Sequence, residues 1–398
     1  MPSMPLSLYL LAVAVFAMGT SEFMLAGLVP DIATSLDVSL GAAGLLTSAF
    51  AVGMIVGAPL MAALARRWPA RASLLGFVSL FAAAHVVGAL TTSFAVLLVT
   101  RTVAALANAG FLAVALSTAA TLVPADRKGR ALAVLLSGTT VATIAGVPGG
   151  AVLGTVLGWR ATFWAITLLC LPAAFGIVKG VPAHAGKSSQ DSPAGISLRA
   201  EIAQLAMPRL VLAMLLGALV NAATFATFTF LAPIVTGTAG LGELWVPVVL
   251  VLFGIGSFAG VTLAGRLSDQ RPGIVIGVGG PMLLLGWVAL ATLAIQPVAL
   301  LLLVFVQGAL SFALGSTLIA RVLYEAAGAP TMGGSYATAA LNIGAAGGPL
   351  VAAATLGADA GNLGPVWTSS LLVAVALLIA LPLLRVVAPR AGQAQAIG

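Results

Sequence analysis

Apolar residues in this chain fill long unbroken runs. Twelve such runs lie near residues 7–29, 40–64, 73–90, 94–121, 131–157, 161–178, 210–236, 244–265, 273–295, 298–320, 334–356 and 365–385. Each is close to the roughly 20 residues a helix needs to cross the hydrocarbon core. Charged or Gly/Pro/Ser-rich breaks separate them. Lipid offers the backbone no hydrogen bonds, so a spanning segment must satisfy its own as a helix. The ten-residue alternation of a membrane β-barrel is not found. The pattern predicts an all-α integral membrane protein with twelve transmembrane helices. No Lys or Arg precedes the first run, and it continues to Val29. Ala12-Val13-Ala14 is therefore read as part of a retained span and not as a signal-peptide cleavage site.

Composition agrees with that reading and narrows the function. Of 398 residues, 61% are hydrophobic and 7% charged, against about 25% charged in an ordinary soluble domain. So few charges cannot cover a soluble globule. The net charge of +7 comes with no basic patch or finger spacing, so no nucleic-acid partner is expected. A single cysteine, Cys170, excludes a disulfide framework and a cysteine metal site. His85 and His184 leave little for metal or triad chemistry, and no metal or cofactor is expected. With both termini cytoplasmic, 15 of the 17 basic residues fall on cytoplasmic loops; Arg160 lies outside and Arg101 within a span. That bias predicts a multi-pass protein of the bacterial cytoplasmic membrane with both ends inside.

The longest polar interruption, about 180 to 209, divides the spans six and six. The expected organisation is an N-terminal half 1–179, a cytoplasmic central loop 180–209 with a short interfacial helix near Leu198 to Met207, and a C-terminal half 210–398. Gly180 to Gly186-Lys187-Ser188 looks like a phosphate-binding loop, but its glycines are one residue too far apart and no strand precedes it. The halves repeat weakly. Phe50, Gly53 and Gly57 of the second span recur as Phe253, Gly256 and Gly260 of the eighth, 203 residues on in each case. Gly146-Val147-Pro148-Gly149-Gly150 in the fifth span faces Gly347-Gly348-Pro349 in the eleventh at an offset of about 200. Duplicated six-helix halves are how many secondary transporters are built.

Four places carry a resemblance to a family. The first span reads Gly19-Thr20-Ser21-Glu22-Phe23-Met24-Leu25-Ala26-Gly27-Leu28-Val29-Pro30. Arg101 sits within the fourth. Gly138, Gly146-Val147-Pro148-Gly149-Gly150 and Gly154 mark the fifth. Gly265-Arg266-Leu267-Ser268-Asp269 follows the eighth. Together they resemble the major facilitator superfamily, specifically its twelve-helix drug–proton antiporters, over essentially the whole chain. Within it the text is similar to actinobacterial chloramphenicol exporters. The resemblance implies two pseudo-symmetric six-helix halves and proton-coupled efflux of a lipophilic drug, with phenicols foremost. The implied partners are a small-molecule drug, protons and the bilayer, and a monomer is expected. Arg101 takes the position of the intramembrane arginine, and Gly146, Pro148, Gly149 and Gly150 that of the antiporter motif. Gly265 and Asp269 take positions of the loop signature. The first-half loop departs from the pattern. Ala62-Ala63-Leu64-Ala65-Arg66-Arg67 lacks both glycines and the aspartate that is thought to latch the halves.

Residue chemistry points to the same places. Glu22 is the one acidic residue in the middle of an expected span, where a charge costs about 2.5–3.5 kcal/mol on insertion scales. A carboxyl poised to gain and lose a proton is what proton coupling needs. The alternative is a neutral carboxyl bonded between helices. Arg101 keeps its charge, and needs a carboxylate, carbonyls or water in the bundle. Asn108, two turns on, shares its face. Asn221, Thr224, Phe225 and Phe228 lie on one face of the seventh span, suited to a flat apolar ligand with polar anchors or to plain aromatic packing. Gln307 with Ser311, and Asn342, are further substrate candidates. His85 in the third span could titrate near neutrality, but such a lone histidine is more often a satisfied packing residue. An exporter of sugars or another metabolite is the competing function. An enzyme would need clustered His, Asp or Cys near a membrane face, a pattern the sequence lacks.

Overall fold

The computed structural model describes residues 5–64, 68–124, 127–182, 198–268, 272–329, 332–356 and 361–387. Among them there is no strand. Twelve helices are long and apolar enough to cross a membrane. They are numbered here as spans 1 to 12: Leu6–Gly27, Leu40–Met61, Ala70–Leu90, Phe94–Ala119, Arg130–Leu157, Trp159–Gly180, Pro208–Thr229, Trp245–Ala264, Gly273–Leu293, Pro297–Glu325, Gly333–Thr355 and Gly361–Ala380. A short helix, Leu198–Ala203, precedes span 7, inside the segment expected as interfacial.

The expected seventh run, 210–236, is not one regular helix. It ends at Thr229, resumes over Leu231–Pro233, and widens into a π turn over Ile234–Thr238. Pro233 has no N–H to return to the carbonyl of Thr229, so the regular ladder fails there. Span 5 is interrupted in a similar way. A π turn over Ala142–Gly146 comes just before Pro148, whose missing N–H would have bonded Ile144. The wide turn absorbs that defect, and such turns recur at functional sites.

The repeat in the sequence is a repeat in packing. A Cβ on Gly53 would stand 2.6 Å from the Thr102 carbonyl oxygen, and one on Gly57 would stand 3.3 Å from Leu106 Cα. In the second half, a Cβ on Gly256 would overlap the Phe305 carbonyl, and one on Gly260 the Ala309 carbonyl. Thr102 and Phe305 are 203 residues apart, as are Leu106 and Ala309. Span 2 thus nests on span 4 as span 8 nests on span 10. Only small residues admit so close an approach.

Among the described residues, two helix pairs make the most extensive contacts between the halves. Span 2 lies along span 11: the Ser48 hydroxyl donates to the Ala346 carbonyl at 2.7 Å, and that of Ser335 to Ala58 at 3.4 Å. Span 5 meets span 8, where a Cβ on Gly254 would lie 2.6 Å from the Thr143 carbonyl. At the end of the bundle holding the span 1–2 connection, the halves close tightly. A Cβ on Gly41 would lie 3.2 Å from that of Ala353; one on Gly27 would lie 3.2 Å from Leu250 Cδ1; one on Gly44 would strike the Phe230 ring.

Candidate functional site

The boundary between the halves holds an aromatic site. Phe23 enters it from span 1, Thr143 and Val147 from span 5. Thr224, Phe225 and Phe228 come from span 7, Phe253 from span 8 and Phe312 from span 10. The void they leave is about 10 Å³, room for one water molecule at most. Drug-sized pockets run to several hundred Å³, so the site is contracted in this state. The rings fill it. Phe228 lies 4.7 Å from Phe253, 6.1 Å from Phe225 and 6.4 Å from Phe23 between centroids, and Phe23 lies 5.7 Å from Phe225. Phe23 alone of the rings comes from the first half.

Beside Phe23 is Glu22, half-buried. The neighbouring Ser21 is fully buried and holds Arg101. Nη1 of Arg101 donates to the Ser21 hydroxyl oxygen at 2.7 Å, and Nη2 to the Ser21 carbonyl at 2.8 Å. The guanidinium also lies 4.5 Å from the Phe50 ring centroid, a cation–π contact. Arg101 is 1% exposed. It is close enough to Glu22 for the two charges to act on each other, yet both of these hydrogen bonds go to Ser21. His85 joins the same cluster. Its Nε2 is 2.7 Å from the Ser21 hydroxyl and its Nδ1 2.8 Å from the Phe81 carbonyl. The sequence reading of His85 as a packing residue missed this bond, which joins positions 64 residues apart.

The other candidates divide. Thr224, Phe225 and Phe228 line the site. Asn221 does not; its Nδ2 donates to the Leu341 carbonyl at 2.7 Å and ties span 7 to span 11. Gln307 donates to the Leu283 carbonyl and Asn342 to Thr338 within its own helix. Asn108 is 1% exposed, with Nδ2 3.6 Å from Met54 Sδ and Oδ1 unbonded. Phe23, Thr143, Val147, Phe253 and Phe312 complete the site and were not singled out for it by sequence. Phe253 was visible only as part of the repeat.

The span 5 motif faces mostly its own half. A Cβ on Gly146 would overlap the Thr20 hydroxyl, and one on Gly150 would stand 3.0 Å from Thr162 Cγ2. Gly149 meets nothing within 4 Å. Gly146 and Gly150 thus admit the facing spans 1 and 6 of their own half, while Gly254 of span 8 admits span 5 across the halves. Pro148 is buried at the start of the helix after the π turn. Gly265 lies within the helix Trp245–Ser268, and Asp269 lies outside the described residues, as do Arg66 and Arg67. No group of three or more His, Cys, Asp or Glu placed to hold a metal occurs among the described residues.

Two repeated six-helix halves, with an apolar site at their boundary and a carboxyl and a guanidinium within spans 1 and 4, define the architecture of a secondary transporter. The profile of the Major Facilitator Superfamily matches residues 11–349, and the chain belongs to that family. A chloramphenicol resistance protein of Streptomyces lividans is 76% identical over 95% of this chain and 96% of its own length. The inner membrane transport protein YdhP of Escherichia coli K12 is 32% identical over 86% of this chain and 88% of its own. A bacterial homologue of the human lysosomal transporter Spinster, solved inward-facing and unoccupied, superposes with a TM-score of 0.74. It is 19% identical, over 96% of this chain and 95% of that one, and shares the fold.

Proposed function

We propose that this chain exports a lipophilic drug, chloramphenicol or a related phenicol foremost, in exchange for protons. The observation that carries the reading is the aromatic site at the half boundary, next to Glu22, in a chain 76% identical to a chloramphenicol resistance protein. Five phenylalanines and two threonine hydroxyls suit a flat aromatic body with a few polar substituents. They offer a sugar too few hydrogen bonds.

The mechanism is alternating access. The halves 1–179 and 210–398 rock about the site. Both termini are cytoplasmic, as the distribution of basic residues supports, so the tightly closed end at Gly27, Gly41 and Gly44 is the outer one. Glu22 carries the proton and Arg101 sets the field it feels. Thr224, Phe225 and Phe228, with Phe23 and Phe253, hold the drug as the site expands. Asn108, Asn221, Gln307 and Asn342 support helix packing around it. The membrane potential supplies about 2.3 kcal/mol per charge per 100 mV, so one proton per neutral drug drives export without a nucleotide. The unit is a monomer.

The test is drug susceptibility of a sensitive bacterium expressing the chain beside Glu22→Gln and Arg101→Ala. Wild type raises the inhibitory phenicol concentration, and neither variant does. Resistance retained in full by Glu22→Gln would remove Glu22 from proton coupling.

A further inference from the structure

The hydrogen bonds around Arg101 have one consistent direction. The Phe81 carbonyl can only accept, so His85 Nδ1 carries the proton. In the neutral ring Nε2 is then the acceptor, and the Ser21 hydroxyl donates to it. That leaves the Ser21 oxygen lone pairs facing Arg101 Nη1 at 2.7 Å. A protonated Nε2 would turn the Ser21 hydroxyl proton away and set an imidazolium beside the guanidinium, a like-charge pair. The Ser21 carbonyl is available because the α-helix of span 1 ends at Phe23 and passes into a 3₁₀ turn over Met24–Gly27. Last-turn carbonyls lack regular partners and attract a cation. One donor of Arg101, Nε, is buried and has no partner, while the carboxyl of Glu22 is one residue from the seat.

We propose that Ser21 and His85 form a seat that holds the Arg101 guanidinium away from the Glu22 carboxyl in this state, and that Arg101 leaves it for Glu22 when the carboxyl releases its proton. His85 is a positioning residue acting through Ser21. The proposal rests on the reading of Glu22 as proton carrier. The titratable and charged groups facing the seat are Glu22 on span 1, His85 on span 3 and Arg101 on span 4. Span 2 brings Phe50 and span 6 brings Phe163, with the thiol of Cys170 farther along span 6. Away from their ends, spans 1 to 6 hold no other Asp, Glu, Lys, Arg or His.

The experiment measures drug–proton exchange in proteoliposomes across the neutral pH range, using chloramphenicol. His85→Phe keeps an aromatic ring against Phe81 (4.3 Å) and Phe163 (5.6 Å) but removes the acceptor. His85→Gln restores an acceptor oxygen near Nε2. His85→Phe is expected to move the midpoint of the pH profile by about half a unit or more, with drug KM unchanged and His85→Gln at the wild-type midpoint. Ser21→Ala, a smaller change that keeps the carbonyl contact, is expected to move the midpoint in the same sense as His85→Phe. A wild-type midpoint in both His85→Phe and Ser21→Ala, or equal displacement by His85→Phe and His85→Gln, overturns the seat. Glu22→Gln run beside them separates the two ideas: if it keeps pH-dependent exchange, the reading of Glu22 fails instead.

Discussion

Replacing Gly44 by alanine is expected to loosen the closed end of the bundle without unfolding it. The new methyl would stand 2.6 Å from Phe230 Cε1 and closer still to Cζ. Phe230 is fully buried, so its ring has little room to swing. Overpacking of this kind costs about 1–3 kcal/mol. The cost arises only where span 2 touches Phe230, which is the state seen here. A state in which the halves part at this end escapes it. The equilibrium therefore shifts toward the opened end by about 5- to 150-fold. Labelling reads the shift. Leu250, 1% exposed and packed at Gly27, is replaced by cysteine, and a membrane-impermeant maleimide is added outside intact cells. The native Cys170 is 3% exposed, so background is low. Gly76→Ala is the control, since a Cβ there meets nothing within 4 Å. Faster labelling in Gly44→Ala alone, at normal folded yield, is the expected result. An unchanged rate at normal yield would refute the argument that this contact holds the end closed.

Two more outcomes follow from the geometry. Phe228→Ala removes the ring packed on Phe253 and Phe225; drug KM is expected to rise about fivefold, the equivalent of one aromatic contact near 1 kcal/mol, and an unchanged KM in vesicle transport would move the drug elsewhere. Asp31 lies in the helix Val29–Ser35 beyond span 1. Partial burial first, then the nearby Glu243 of the other half, raise its carboxyl above the ordinary 3.8. The closed end thus binds protons more readily than an opened one, so closure is strongest at low pH and weakens as pH rises through the raised value. Protection of the Leu250→Cys thiol is expected to fall over that window, and Glu243→Gln to narrow it; a pH-independent thiol in the parent would contradict this.

The polypeptide text was most informative where lipid leaves few choices. Twelve apolar runs became twelve spans because backbone groups in hydrocarbon must pair within a helix. The constant offset between Gly53 and Gly256 was legible because close helix approach requires small residues at fixed spacing, and the contacts at Thr102 and Phe305 keep that offset. The candidate site was legible only in part. Helical periodicity places Thr224, Phe225 and Phe228 on one face, and all three line the void. Polarity alone did not place the rest at the void. Asn221, Gln307 and Asn342 spend their amides on backbone carbonyls, since a polar group in a membrane bundle finds the nearest acceptor.

Sequence was therefore sufficient for span number, the internal repeat and the rarity of Glu22 and Arg101, all of which follow from local hydropathy and spacing. It was silent on rotation. The turn of each helix about its own axis depends on packing against helices far along the chain. That rotation brings Phe23 to Phe225 across the two halves, and sets His85 against Ser21 and Ser21 against Arg101. The carboxyl and the guanidinium stand out in the sequence, but the seat that holds the guanidinium exists only where spans 1, 3 and 4 meet.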